Sequence, residues 1–275
     1  MSGTLYVVGT PIGNLGDFSP RALETLEKCD FIAAEDTRVT LKLLNRFGIK
    51  KPMVSYFEHN RFERGPAIAE RLLSGESCAI VTDAGMPAIS DPGEDLVKLC
   101  IEKGIRVEAV PGPCAFATAL AVSGMPSKRF TFEGFLPVEK TSRREHISWL
   151  SDETRTMIFY EAPHKLSQTL TDLAAALGDR EIAIVRELTK IHEQVIKTSL
   201  CAAAEKYSKE DLKGEIVLIV KGAEPKQNEE MTLEQAVKYA KDLVADGESK
   251  TQAAKIAAKE SGLKKGDIYK LLIEE

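Results

Sequence analysis

Residues 5–36 read LYVVGTPIGNLGDFSPRALETLEKCDFIAAED. An apolar run, LYVVG, leads through a turn-rich segment to PRALETLEKC, which has helical spacing and opens on Pro20, and then to a second apolar run, FIAAED. Strand, helix and strand in that order form the unit of a parallel sheet, because parallel neighbours need a crossover that a helix supplies. The alternation continues through RVTLKLLNRFG (38–48), CAIVTDAG (78–85), EDLVKLCIEKG (94–104), RVEAVPG (106–112) and CAFATALAVSG (114–124). Gly48, Gly104 and Gly124 stop their helical stretches where glycine is expected. Residues 1–125 are therefore expected to form an α/β domain with a parallel sheet covered on both faces.

After Pro126 the rhythm changes. FTFEGF and TMIFYEA are followed by IAIVREL, EQVIKTS and EIVLIVKG, with two sizeable helical patterns between them. This predicts a second, mixed-sheet α/β domain over 126–222, with SGMPSK as the hinge. Within the polar stretch GAEPKQNEEM (222–231), residues 223–231 read as a linker. Three helical patterns divided by Gly247 and Gly262 then predict a small helical domain over 232–275, of helix-turn-helix shape.

The chain has 275 residues, 43% hydrophobic and 29% charged, enough to bury a full core. Its start lacks a charged region followed by a long apolar one, and no segment approaches about 18 uninterrupted apolar residues. A cytoplasmic protein without a membrane span is expected. Cys29, Cys78, Cys100, Cys114 and Cys201 lack the spacing of zinc or redox sites and read as reduced, mostly buried thiols. The four histidines are equally dispersed, so no metal site is expected. A net charge of −5 argues against a protein that coats nucleic acid nonspecifically, since phosphate binding leaves a basic footprint. Local basic groups remain: Lys140, Arg143 and Arg144, and six lysines against two acids between Lys250 and Lys270. The helical tail that carries those lysines is either a nucleic-acid contact or a stabilising cap.

Each parallel strand delivers its loop to the carboxyl edge of the sheet, where open α/β sheets bind ligands. TDAGMPAISDPG (82–93) holds Gly85, Pro87, Pro92 and Gly93 with Asp83 and Asp91, more backbone control than a connection needs. It reads as a ligand loop, with a stiff structural loop as the alternative. A phosphate cradle is disfavoured, because neither GxGxxG nor GxxxxGK[ST] is present and carboxylates would repel phosphate. EDTR (35–38) puts two carboxylates and a guanidinium at a strand end, where Asp36 or Thr37 can cap the next helix. YFEHN (56–60) adds His59, whose residue type suits base catalysis although a lone histidine is more often structural.

VVGTPIGNLGD, AAEDTR, YFEHN, TDAGMPAISDPG, VPGPCA, FEGFLP, FYEAPHK and VRELTKIHEQ occur in this order. The ordered set, across about residues 3–221, resembles the tetrapyrrole-methylase superfamily, and within it the bacterial small-subunit ribosomal RNA methyltransferases. Glu139, in GFLPVEK, stands where a basic residue would be expected. The resemblance implies a two-domain tetrapyrrole-methylase fold binding S-adenosylmethionine in the cleft between domains. The cofactor shell it implies comprises Pro11, Asp83, Ala84, Met86, Cys114 and Ala115 from the first domain, with Tyr160, Leu188 and Gly214 from the second.

The implied reaction is methylation of a cytidine ribose 2′-hydroxyl in 16S ribosomal RNA, within the small subunit, by a homodimer. A ribose hydroxyl is a weak nucleophile and benefits from a base or from cations that stabilise a developing alkoxide. Asp36 or His59 would orient or accept its proton, and Arg38 would hold the RNA backbone or the alkoxide. Arg61, Arg64, Lys140, Arg143 and Arg144 would bind RNA. Two other readings stand beside this one. A small-molecule methyltransferase, as in corrin synthesis, is opposed by the basic stretches and the EDTR loop; a non-catalytic RNA-binding module is opposed by the intact 82–93 loop.

Overall fold

The computed structural model describes residues 2–91, 93–224 and 231–273; Pro92 of the turn-rich loop and residues 225–230 of the expected linker lie outside it. Residues 1–223 form one compact unit and 224–275 a second.

The first unit begins with five parallel strands, β1 (Thr4–Val8), β2 (Phe31–Ala34), β3 (Met53–Ser55), β4 (Cys78–Val81) and β5 (Arg106–Val110), in the order β3-β2-β4-β1-β5. Side chains alternate across the sheet. Leu5, Val7, Phe31, Ala33, Cys78 and Ile80 therefore pack on one face, against α3 (Arg61–Leu73) and α4 (Gly93–Glu102). Val8, Ile32, Ala34, Ala79 and Val81 pack on the other, against α1 (Pro20–Lys28) and α2 (Thr37–Arg46). β2 and β4 are buried throughout, as strands covered on both faces must be. The alternation read from sequence omits β3 and α3. Gly65 and Pro66 carry a turn signature that masks α3, which nevertheless runs through Pro66.

The second sheet holds β6 (Phe130–Phe135), β7 (Thr156–Glu161), β8 (Glu181–Arg186), β9 (Gln194–Ser199) and β10 (Ile216–Val220), in the order β6-β7-β10-β8-β9. β6 and β7 are parallel and the other pairs antiparallel, so the sheet is mixed. One face carries Met157, Phe159, Leu218 and Val220 against α6 (Lys140–Trp149), α7 (Leu166–Leu177) and the short α8 (Leu200–Tyr207). That makes three helices where two sizeable patterns were legible, because α8 spans only eight residues.

α5 (Ala115–Ser123) departs from the expected scheme. It follows β5, but its Ala119 and Leu120 pack with Ile158, Ala183, Val217 and Ile219 of the second sheet, together with Ile12. AFATALAVS is apolar almost all round and offers small residues for close approach to a sheet. Of the five thiols, Cys29, Cys78 and Cys100 are buried and Cys114 half-buried, whereas Cys201, at the start of α8, is exposed.

In the second unit α9 (Leu233–Ala245), α10 (Lys250–Ser261) and α11 (Lys265–Ile273) fall on the three expected patterns. Ala236, Ala240, Ala253, Ala254, Ala257, Ile268 and Leu272 form its core. Thr232 and Gln235 make a reciprocal capping box at the start of α9.

The loops after β1, β4 and β5 are joined through backbone. Gly9 N–H donates to Val110 C=O at 3.1 Å, and Thr10 and Gly85 exchange hydrogen bonds of 2.9 and 3.2 Å. A Cβ on Gly9 would lie 2.7 Å from Gly112 Cα, and one on Gly112 would lie 2.8 Å from Gly9 Cα. Gly112→Ala is expected to cost about 1–3 kcal/mol, the usual range for overpacking, and to lower the unfolding temperature by several degrees. Thermal unfolding checks this, and an unshifted transition would show that the two loops can part.

Candidate functional site

At the carboxyl edge of the first sheet, the loops after β1, β4 and β5 meet the ends of β7, β8 and β10 around a cavity of about 400 Å³. Ala84, Met86, Cys114, Ala115, Tyr160, Leu188 and Gly214 line it, so residues from five separated segments converge. Pro11 and Asp83 do not line the cavity; their chain neighbours Ile12 and Ala84 do. The implied cofactor shell omitted Asp91, which was read only as part of the ligand loop, and Phe135, Glu161, Glu215 and Val217, all of which also line the cavity. Glu161 sits inside the quoted FYEAPHK segment, and Asp91 inside the turn-rich loop, so both were within reach. Val217 belongs to an apolar run indistinguishable from any core strand.

The walls are held in shape by unusual backbone. Ala88 and Ser90 in the loop after β4, and Glu187 and Thr189 after β8, have φ of +64°, +62°, +50° and +66°. Such conformations cost non-glycine residues energy and concentrate at ligand sites. Glu187 Oε1 accepts the Glu215 N–H and the Lys190 ammonium, each at 3.0 Å. Gly214 has φ +98°, and a Cβ there would lie 2.5 Å from the Glu187 carboxylate. Tyr160 Oη accepts the Phe116 N–H at 3.1 Å, which fixes the ring against the start of α5. Burial pushes that phenol up to about 12.

The cavity is apolar over much of its wall, and among the described residues its charged lining consists of acids: Asp91, Glu161 and Glu215. Burial, reinforced by Glu35, pushes the Asp91 carboxyl up to about 6. Asp83 is also raised, by burial and then by Glu35, while it accepts the Asp36 N–H at 3.2 Å. Glu35 in turn accepts the Thr82 hydroxyl at 2.6 Å.

Asp36 and Arg38 stand beside this cluster. Asp36 is the N-cap of α2, with Oδ1 accepting the Arg38 N–H at 2.8 Å. The Arg38 guanidinium also donates through Nε to Oδ1 (3.0 Å) and through Nη2 to Oδ2 (2.7 Å). These bonds hold the Asp36 carboxyl down at about 2. The Arg38 side chain is 86% exposed, so its charge is aimed but remains accessible. His59 is exposed in the turn between β3 and α3 and meets Phe57 edge-on at 6.0 Å, and the Asn60 side chain ties that turn to Phe57 N–H and Ser55 C=O.

The basic residues divide. Arg61 is paired with Glu58 and Asp95 (3.0 and 2.7 Å), and Arg143 with Asp172 and Thr169 (both 2.7 Å). Lys140 and Arg144 are exposed, and they line a groove of about 960 Å³ between α6 and α7 together with Lys165. Arg64 is exposed, with a 4.0 Å contact to Glu63. Glu139 caps α6, accepting N–H bonds from Thr141 and Ser142 at 2.9 and 2.6 Å, which explains an acid at a position expected to be basic.

Asp91 holds its proton more tightly in the folded protein (about 6) than at its ordinary value of 3.8. Its contribution to stability is full below 3.8 and is lost as pH rises through about 6. Asp91→Asn cannot ionise, so between about pH 4 and 7 its unfolding temperature is expected to decline less than that of the wild type. Thermal unfolding across this range tests it, and equal pH slopes would show that Asp91 does not titrate there.

Residues 4–204 match the family of tetrapyrrole (corrin/porphyrin) methylases. The chain is 47% identical over 270 residues to a Xylella fastidiosa protein named ribosomal RNA small subunit methyltransferase I, covering 97% of this chain and 98% of the relative. A Thermotoga maritima protein of the same name is 47% identical over 222 residues, covering 81% of this chain and all of the relative. That aligned length is close to that of the first compact unit. Among solved structures, a uroporphyrin-III C-methyltransferase of Thermus thermophilus, complexed with S-adenosyl homocysteine, aligns with a TM-score of 0.57 at 16% identity, over 80% of this chain and 97% of that one. On the family match and on identity over nearly its full length, the chain belongs to the tetrapyrrole (corrin/porphyrin) methylase family, alongside its ribosomal RNA small subunit methyltransferase I relatives.

Proposed function

We propose that the protein transfers a methyl group from S-adenosylmethionine to the 2′-hydroxyl of a cytidine ribose in 16S ribosomal RNA of the small subunit. The family supports methyl transfer, and the names of the full-length relatives support a ribosomal RNA target. The observation that carries the cofactor reading is the cavity's chemistry. Its apolar walls suit an adenine, its size lies within the range of about 300–1,000 Å³ usual for ligand sites, and its charged lining is wholly acidic. That lining fits a nucleoside bearing a sulfonium and an ammonium and disfavours a nucleotide phosphate.

Ala84, Met86, Cys114, Ala115, Tyr160, Leu188 and Gly214 would hold the cofactor, with Pro11 and Asp83 supporting the loops from one position away. When bound, S-adenosylmethionine supplies a methyl already activated on sulfur. The protein's task is then to align the hydroxyl in line and exclude water. A carboxyl held at about 2 is a poor proton acceptor, so Asp36 is assigned the orienting role: it aims Arg38 at the RNA backbone or the developing alkoxide. His59, exposed in the turn that follows β3, is the residue assigned to accept the hydroxyl proton.

Arg64, Lys140 and Arg144 contact RNA in this reading, aided by the exposed lysines of the C-terminal unit. Arg61 and Arg143, already engaged with acids, contribute less. No helix of the described residues is long and apolar enough to cross a membrane. A cytoplasmic homodimer of this two-domain enzyme, with the C-terminal unit as an additional RNA contact, completes the proposal.

Mass-spectrometric mapping of ribose methylation in small-subunit RNA, from cells with and without the gene, tests the assignment. One cytidine is expected to lose its methyl, and unchanged methylation would return the reading to a small molecule. Arg38→Ala is expected to lower kcat/KM for the ribosomal substrate by about tenfold or more while S-adenosylmethionine affinity holds. Wild-type turnover would remove Arg38 from the mechanism. Lys140→Ala and Arg144→Ala should each reduce the slope of log binding constant against log salt by about one.

A further inference from the structure

A hydrogen-bonded line runs from the outer groove into the cavity. Arg143 on α6 donates through Nε to Asp172 and through Nη2 to Thr169 Oγ1, each at 2.7 Å, both residues on α7. Thr169 is fully buried and donates its hydroxyl to Glu161 Oε2 at the end of β7. Glu161 Oε1 accepts the adjoining Ala162 N–H at 2.7 Å. Glu161 is only 6% exposed, yet it lines the cavity.

The direction of each bond is fixed by chemistry. A guanidinium only donates and a carboxylate accepts, so the single hydroxyl proton of Thr169 goes to Glu161 while its oxygen receives Arg143. The two donors occupy two of the roughly four acceptor positions of the Glu161 carboxylate. Burying a carboxylate is costly, and an acid without a purpose at this place would readily be replaced by an apolar side chain. Here Thr169 of α7, itself held by Arg143 of α6, and the Ala162 N–H fix it at the cavity wall.

We infer that Glu161 binds the cofactor, accepting a hydrogen bond from a donor group of S-adenosylmethionine, either the ammonium or a ribose hydroxyl, and that Thr169 and Arg143 are the positioning residues that hold it there. This rests on the cofactor reading above. It also gives Arg143 a role inside the protein instead of on RNA.

Calorimetry with S-adenosylmethionine on the full chain tests the inference. Glu161→Gln is expected to weaken binding by about tenfold to a hundredfold, the range for losing a charged hydrogen bond. Thr169→Val should weaken it by a smaller factor, and Thr169→Ser, which keeps the hydroxyl, should bind like the wild type. Analogues lacking the amino group or a ribose hydroxyl identify the donor, since the analogue missing it should bind wild type and Glu161→Gln equally. Unchanged affinity in Glu161→Gln, or a penalty that survives in every analogue, would overturn the inference. Should Glu161→Gln fail to fold, the Thr169 pair decides: equal affinity of the Val and Ser variants would reduce the line to a structural brace. Wild-type protein that bound no S-adenosylmethionine would instead overturn the cofactor reading itself.

Discussion

Gly9 and Gly112 touch backbone to backbone, and the geometry of the site depends on that contact. A side-chain carbon on either would come within 3 Å of the other's Cα. With Gly9 bonded to Val110 and Thr10 exchanging bonds with Gly85, the loops after β1, β4 and β5 leave the sheet as one braced group. The parallel sheet brings the strand ends to one edge, and the brace converts that edge into a rigid half of a cavity. Strained residues at Ala88 and Ser90 persist because the loop around them is held in place.

The second sheet answers with a brace of its own. Glu187 binds Lys190 and the Glu215 backbone, and Lys190 lies where a Cβ on Gly13 of the first loop would stand, 2.7 Å from its Cγ. The two loop systems thus meet through Gly13 as well as around the cavity. α5 adds a third connection, since it leaves the first sheet and packs on the second. A site walled by segments so fixed needs little reorganisation when a ligand enters, which lowers the cost of binding.

Charge is arranged in two opposite environments at the same strand edge. Asp83 and Asp91 are raised by burial among neighbouring acids, whereas Asp36 is drawn far down by Arg38. Pushing carboxyl groups apart in this way separates roles: the raised acids favour a cation that would draw them into the ionised form, and the lowered one anchors an exposed guanidinium. An overall acidic chain can thereby present a cation-seeking cavity next to a cationic contact for a polyanion.

The sequence alone determined the alternation of strands and helices, the change of rhythm after Pro126 and the three C-terminal helices, because hydrophobic period and glycine or proline punctuation are local properties. Of the nine positions that the resemblance implied for a cofactor, seven line one cavity. Only the tertiary structure decided that α5 serves the second sheet, since its all-round apolar pattern does not say which surface it covers. It alone revealed α3 beneath a Gly-Pro turn signal, and showed that Arg61 and Arg143 are spoken for by Asp95 and Asp172. Partnership between charges, and the convergence of Glu161 with loops more than seventy residues away, arise from packing distant segments together, and no local window of the chain encodes either.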